Sequence, residues 1–204
     1  RIALAVRQMG LKHCVITSVN RDELPDCGSA IWAETIREVH RVNPQCTVEV
    51  LIPDMRNEDE LLQTVFEARP EILGHNMETV PRLYSTVRPQ AKYEWSLDVL
   101  KKSKSFGLRS KTAFMLGLGE KAEEVFAFME DIFQTGCDIL AIGQYLQPTK
   151  KHHPVERYVH PDEFDVYKKT GLEMGFGWVE AGPLVRSSYH ADEQATLTAT
   201  PIRV

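Results

Sequence analysis

The sequence predicts an α/β fold in which a parallel sheet is covered by helices, either as a doubly wound sheet or as a partial βα barrel. Strand-like apolar segments recur along the chain, and their starts lie 34, 25, 38, 29 and 39 residues apart, the spacing of βα units. These segments are apolar on both faces, as strands are when helices cover the sheet. The predicted strands are residues 13–19, 47–53, 72–76, 110–116, 139–145 and, more weakly, 178–180.

Helical patterns fill most of the intervals between these strands. Residues 2–9 have apolar side chains at helical spacing, and Gly10 follows as the expected stop. Residues 125–133 match the i, i+3, i+4, i+7, i+8 template and end before Gly136. Similar stripes are Trp32, Ile36 and Val39; Leu61, Leu62, Val65 and Phe66; and Phe164, Tyr167, Gly171 and Met174, the last set beginning after Pro161.

Composition is that of one globular domain, residues 1–204. The chain has 24 Lys+Arg and 29 Asp+Glu, a net charge of −5, and hydrophobic and charged fractions of 43% and 26%. Its longest purely apolar runs are five residues, against the ~20 that a membrane-spanning helix needs. The mild acidity (pI ≈ 5.8) argues against phosphate-driven nucleic-acid binding. We therefore expect neither a nucleic-acid nor a membrane partner.

The ends of the chain and its cysteines suggest a cytoplasmic fragment. The sequence begins with Arg1 inside a helical pattern and shows no signal peptide. None of its four cysteines lies within a C-x-x-C pair, so we expect reduced, structural thiols. They are Cys14, Cys27, Cys46 and Cys137.

Polar residues follow each of the first five predicted strands. In a βα barrel these positions share one rim, where ligands bind, although loops are polar in any case. The absence of a glycine-rich turn after the first strand, where Asn20 to Asp26 stand instead, weighs against a dinucleotide-binding sheet. The polar residues are Thr17, Ser18, Asn20, Arg21 and Asp22; Asp54; His75, Asn76 and Glu78; Gly117, Gly119 and Glu120; and Gln144, Tyr145 and Gln147.

Several other motifs have simpler interpretations. Asp22, Glu23 and Asp26 are expected to cap the following helix rather than bind metal. His152 and His153 stand beside two lysines, which favours a solvated or phosphate-facing loop over a metal pair. Ser188 and His190 of the segment AGPLVRSSYHADE could be read as a serine hydrolase pair, but no G-x-S-x-G elbow and no partner Asp are apparent.

A set of longer strings resembles the lipoyl synthases, a family of radical S-adenosylmethionine enzymes. The resemblance extends from the first residue to about Asp192. The strings are ITSVNRDELPDCG, VEVLIPDM, GHNMETVPRLYSTVRPQA, KTAFMLGLGE, DILAIGQYLQPTKKHHPVERYVHPDEF and GPLVRSSYHA.

This resemblance implies a partial (βα)6 TIM-like barrel, incomplete on its N-terminal side, with two [4Fe–4S] clusters and S-adenosylmethionine. Such enzymes cleave the cofactor reductively and use the resulting radical to insert two sulfur atoms at carbons 6 and 8 of a protein-bound octanoyl group. The implied partners are octanoylated lipoyl-carrier domains (E2 subunits and the glycine cleavage H protein) and a flavodoxin or ferredoxin. The family's cluster-binding cysteine motifs would precede Arg1, and none of the four cysteines has their spacing.

The resemblance also implies roles for individual residues. Ser18, Asn20, Arg21 and Asp22 match the segment that holds the methionyl end of the cofactor, and Asn76 and Glu78 match the rim near its ribose. Gly117, Gly119 and Glu120 match the turn under the adenine, and Gln144, Tyr145 and Gln147 match the last rim. Ser188, within a C-terminal segment of about residues 181–192, matches the auxiliary-cluster ligand, with Ser187 as the alternative. Cys27 stands where the family usually has Gly, which costs ~1 kcal/mol if φ is positive there.

Two other functions remain open at this point. The chain could be a catalytically silent scaffold that docks a substrate, or a sulfur-inserting relative that acts on a small molecule, as biotin synthase does. The RSSYHA string favours the lipoyl enzymes over the latter.

Overall fold

The structure is a computed structural model that describes residues 1–196. Six strands form one parallel sheet in sequential order, β1-β2-β3-β4-β5-β6. The predicted α/β barrel-type fold is confirmed, because right-handed crossovers between sequential parallel strands place all connecting helices on one face. The strands are β1 His13–Thr17, β2 Thr47–Leu51, β3 Ile72–Gly74, β4 Arg109–Leu116, β5 Ile139–Gln144 and β6 Trp178–Gly182.

Eight α-helices lie between or beside the strands in the described part of the chain. They are α1 Ile2–Met9, α2 Ser29–Val42, α3 Asp59–Phe66, α4 Tyr84–Val87, α5 Tyr93–Ser105, α6 Ala122–Gln134, α7 Pro161–Met174 and α8 Ala191–Gln194. Short 3-10 turns occur at Met55–Asn57 and Pro81–Leu83. No helix within residues 1–196 is long and apolar enough to cross a membrane.

The helix ends follow the predicted signals. Gly10 adopts a left-handed conformation (φ 63°) and ends α1, and Pro161 occupies the first turn of α7. Asp26 accepts hydrogen bonds from the N–H groups of Gly28 and Ala30 at the start of α2, the capping role expected of it. α5 was not predicted, because its lysines interrupt the apolar stripe that Val99 and Leu100 bury.

Two apolar clusters lie between the sheet and its helices. One joins α1, α2 and α3 to β1–β3, and the other joins α6 and α7 to β4–β6. The opposite face of the sheet, called here the inner face, is partly polar: Lys111 of β4 reaches across β3 to Glu49 of β2, with 2.8 Å between Nζ and Oε1. Both side chains are almost fully buried. Burial lowers the pKa of Lys111, and the neighbouring Glu49 carboxylate opposes that shift.

The chain's C-terminal segment covers part of the inner face. Val185 packs on Ala113 and Ala141, and Arg109 donates to the carbonyls of Gln194 and Ala195. A Cβ on Gly143 of β5 would overlap the carbonyl oxygen of Val185, so only glycine permits this close approach. The segment after β6 is thereby held against the ends of β4 and β5.

His75 joins α5 to the sheet. Its ring is buried between the Ile52 carbonyl, 2.9 Å from Nδ1, and the Ser96 hydroxyl, 3.0 Å from Nε2. Burial lowers the pKa of His75 to about 4. The ring is therefore neutral in the folded protein across the physiological range.

We expect this histidine to make folding acid-sensitive. An unfolded histidine has a pKa of about 6.5, so its contribution is complete above that value and is lost as the pH falls toward 4, by up to about 3 kcal/mol. Urea unfolding at pH 7 and pH 4.5 measures this loss, which should be much smaller in His75→Gln. An equal loss in both proteins would show that other groups cause the acid sensitivity.

Candidate functional site

The carboxyl ends of the six strands lie at one edge of the sheet, as in βα barrels, and two cavities open there. The smaller cavity, about 120 Å³, lies between the ends of β4 and β5 and the segment after β6. Its lining includes Asn76, Glu78, Met115, Arg186 and Ser187. The structure thus brings one pair of predicted cofactor-binding residues beside the C-terminal motif.

Glu78 is held at this cavity by its own backbone. After β3 ends, the chain leaves the sheet and returns at Glu78, whose N–H donates to Ala113 (3.0 Å) and whose carbonyl accepts from Met115 (2.9 Å). Glu78 has a φ of 66°, a left-handed conformation that is unfavourable for a side chain with Cβ. Burial raises the pKa of its carboxyl, while the Arg88 cation and the Asn76 side chain act in the opposite direction.

Arg88 secures the loop that carries these residues. Its Nη1 donates to the carbonyls of Asn76 (3.1 Å) and Met77 (3.3 Å) and to the Tyr84 hydroxyl (3.1 Å). Sequence reasoning missed Arg88. The string VRPQA contains it, but no spacing rule connects an arginine ten residues downstream with Glu78.

The larger cavity, about 420 Å³, lies where the loops after β1 and β2 meet the chain before α5. Asn20 and Asp22 line it, as do Asp54, Arg88 and Trp95. Two other residues of the same predicted group have local partners instead. Ser18 donates to the Val19 carbonyl, and Arg21 pairs with Glu23.

A left-handed turn without glycine borders the larger cavity. Met55, Arg56 and Asn57 have φ values of 48°, 55° and 56°. The Asp54 side chain accepts from the Arg56 N–H (3.1 Å), and the Arg56 guanidinium donates to the Pro25 carbonyl (2.8 Å). The turn ties the loop after β2 to the loop after β1, and since it contains no glycine the sequence gives no sign of it.

The glycine turn after β4 is closed by the chain itself. The Glu120 carboxylate accepts from the N–H groups of Gly117 (2.7 Å) and Leu118 (2.9 Å). A Cβ on Gly117 would overlap the Gln144 amide. On Gly119 a Cβ would meet the Glu156 side chain. Glu120 is buried and acts here as an internal acceptor.

The polar groups after β5 also have partners within the chain. The Gln144 amide binds the Arg157 carbonyl and the Val159 N–H. The Tyr145 hydroxyl donates to the His153 carbonyl (2.7 Å), and the Gln147 amide donates to that of His152 (2.8 Å). These three predicted residues hold the loop before α7 in place.

The two C-terminal serines have different surroundings. Ser187 is half-buried and lines the smaller cavity, whereas Ser188 is exposed. Arg186 lines the same cavity and donates to the Val185 carbonyl (2.7 Å).

The cysteines do not form a metal site in the part of the chain that the structure describes. All four are buried and free, and within residues 1–196 no three metal-ligating side chains of His, Cys, Asp or Glu are grouped. Burial raises the pKa of Cys14 and Cys137 to about 12, so both stay protonated thiols. Cys27 has a φ of 48°, the strained left-handed conformation that its glycine-like position suggested.

Comparison with known proteins agrees with this architecture. The model of the radical SAM superfamily matches residues 1–132. The chain is 58% identical to a lipoyl synthase of Rubrobacter xylanophilus over 95% of its own length and 61% of that protein's. It is 53% identical to a lipoyl synthase of Bacteroides fragilis, over 94% of the chain and 67% of the relative.

Among solved structures, methylornithine synthase is similar in fold. Its TM-score is 0.67 at 15% sequence identity, over 88% of this chain and 60% of that one. The chain spans between 55% and 68% of the length of the curated relatives it matches. The fold, the superfamily match and these identities together show that the chain belongs to the lipoyl synthase family of radical SAM proteins.

Proposed function

We propose that the whole protein is a lipoyl synthase, a sulfurtransferase that inserts two sulfur atoms at carbons 6 and 8 of a protein-bound octanoyl group. Family membership supports the reaction class. The proposal is supported most by one observation: Glu78 lies at the smaller cavity, beside Arg186 and Ser187 of the C-terminal motif. Octanoylated lipoyl-carrier domains would be the substrates, and a flavodoxin or ferredoxin would supply electrons.

The larger cavity suits the methionyl end of S-adenosylmethionine. Its volume of about 420 Å³ lies within the usual range for small-molecule sites. The α-ammonium and α-carboxylate of the methionyl group require one anionic and one cationic partner, and Asp22 and Arg88 both line this cavity. When bound, this cofactor supplies the radical that abstracts hydrogen from the acyl chain.

The residues of this chain orient that cofactor in the proposed site. Asn20 and Asp22 bind its amino-acid end, and Asn76 and Glu78 lie at the neighbouring cavity. Gly117, Gly119, Glu120, Gln144, Tyr145 and Gln147 contribute indirectly, because they hold the backbone of the rim on which the cofactor would rest.

The described residues do not fit an iron–sulfur cluster by themselves. The four thiols are buried and dispersed, and within residues 1–196 they do not form a ligand set. The contribution of this chain to the proposed auxiliary cluster is the hydroxyl of Ser188. Ser188 is exposed, so its hydroxyl is accessible to a cluster that would be held by residues outside the described part of the chain.

Two carboxylate variants test the proposed cofactor site in the whole protein. Asp22→Ala and Glu78→Ala should each weaken S-adenosylmethionine binding by about 1–3 kcal/mol in titration calorimetry, because each removes a charged hydrogen-bonding group. Glu67→Ala, an exposed carboxylate on the chain after α3, is the matched control and should bind normally. Normal affinity in both rim variants would place the cofactor elsewhere.

A further inference from the structure

The loop between β5 and α7 carries exposed charged and apolar side chains that the proposed cofactor site does not use. It comprises residues 146–158 and is called here the rim loop. It contains the adjacent lysines and histidines that the sequence marked as a solvated or phosphate-facing segment. It lies at the carboxyl edge of the sheet, the edge at which both cavities open.

The rim loop is fixed in place although it is a loop. The Gln144 amide binds residues at its C-terminal end, namely the Arg157 carbonyl (3.2 Å) and the Val159 N–H (2.9 Å). Further along, the His153 ring nitrogen lies 2.9 Å from the Leu118 carbonyl oxygen. A surface that is already ordered loses little conformational entropy when a partner binds, which favours recognition.

The rim loop presents apolar and cationic groups to solvent. Tyr158 is 75% exposed and Leu146 51% exposed, and the contacts of Gln144 bring together the chain segments that carry them. Lys150 and Lys151 are exposed at the far end of the loop, and neither ammonium group forms an ion pair with a carboxylate of residues 1–196. Two adjacent lysines without a carboxylate partner give this loop a local positive charge on a chain with a net charge of −5.

Other exposed apolar side chains occupy the same edge. Val19 follows β1 and is 76% exposed, and Leu184 follows β6 and is 80% exposed. With Tyr158 they are the three most exposed large hydrophobic residues in the described part of the chain. Exposed apolar groups gathered at one edge indicate an interaction surface.

We infer that the rim loop is the docking surface for the protein that carries the acyl substrate, and that it recognises an acidic, partly apolar surface on that protein. This inference rests on the proposed function. An acyl chain attached to a protein reaches the smaller cavity from the carboxyl edge, so its carrier contacts the rim. Lys150 and Lys151 select an acidic carrier there, while the negative charge of the rest of the chain repels it elsewhere.

A charge reversal in the whole protein tests this inference. Binding of purified octanoylated glycine cleavage H protein would be measured by surface plasmon resonance at two salt concentrations. Lys150→Glu/Lys151→Glu should weaken binding at least about tenfold at low salt and reduce its salt dependence, mainly through a slower association rate. Tyr158→Ser should weaken binding without changing the salt dependence.

The matched control carries the same charge change on other surfaces. Lys12→Glu/Lys101→Glu changes one exposed lysine before β1 and one on α5, and it should bind like the unmodified protein. Equal affinity of the rim-loop and control variants would overturn the docking inference while leaving the proposed reaction intact. If the unmodified protein failed to bind the carrier, the substrate assignment would fall as well. A change of oligomeric state in Lys150→Glu/Lys151→Glu, seen by sedimentation, would instead assign the surface to a second copy of this chain.

Discussion

Replacing Lys111 with methionine should destabilise the chain by about 3–5 kcal/mol, because the buried Glu49 carboxylate would lose its lysine partner and keep only the His13 ring, whose Nε2 lies 3.7 Å from Oε2. The two side chains are almost fully buried on the inner face, and Glu49 Oε2 has no hydrogen-bond partner within the described residues. Urea unfolding at neutral pH measures the loss. A change of this size would remove a large fraction of the roughly 5–15 kcal/mol by which a typical domain is stable.

A double variant separates the unpaired charge from the loss of packing. Glu49→Gln/Lys111→Met removes both charges and should be distinctly more stable than Lys111→Met alone. Lys102→Met is a useful comparison, since Lys102 pairs with Asp59 and Asp98 near the surface and should cost about 1 kcal/mol or less. If Lys111→Met cost no more than Lys102→Met, the buried pair would not be important for stability.

Loss of the Ser188 hydroxyl should abolish lipoyl formation by the whole protein. We expect Ser188→Ala to reduce lipoyl formation by at least about 100-fold, because replacing a residue that only supports a metal ligand already costs up to about 100-fold. Cleavage of S-adenosylmethionine should stay measurable. A serine oxygen is a hard ligand for a cluster held otherwise by soft thiolates, so a change in the iron site should also appear in the Mössbauer spectrum.

Ser187→Ala is the matched control for that variant. Ser187 lines the smaller cavity and Ser188 is exposed, so the two hydroxyls have different surroundings. Ser187→Ala should retain part of the activity and an unchanged iron spectrum. If instead Ser187→Ala lost product formation and changed the iron spectrum while Ser188→Ala did neither, Ser187 would be the ligand. Normal product formation by Ser188→Ala would show that Ser188 is not the ligand.

The fold was predictable because its signals are local. The apolar runs at 13–19, 47–53 and 139–145 located three strands, although the structure ends them at Thr17, Leu51 and Gln144. The predicted ends extend one or two residues further, and at Ile52 and Tyr145 the backbone N–H still donates to the neighbouring segments at Gly74 and Leu116. α5 escaped prediction since two of its four buried positions, Ser96 and Ser103, are polar, and Val99 and Leu100 alone do not make an apolar stripe.

The candidate site was predictable only in its location. Polar residues after successive strands indicated the rim, but the sequence does not show whether a polar group faces a ligand or the chain. Glu120 and Gln144 satisfy backbone groups of their own loops, which depends on tertiary distances. Arg88 was missed for the same reason, because its partners lie in a loop that only the fold brings within reach.

The most direct test of the account is mass spectrometry of an octanoylated carrier domain after incubation with the whole protein, S-adenosylmethionine and a reductant. The carrier should gain two sulfur atoms on one acyl chain, and at limiting S-adenosylmethionine this gain should be reduced in Glu78→Ala but kept in Glu67→Ala. An unmodified carrier in the presence of cofactor cleavage, or sulfur insertion into a free small molecule instead, would contradict it.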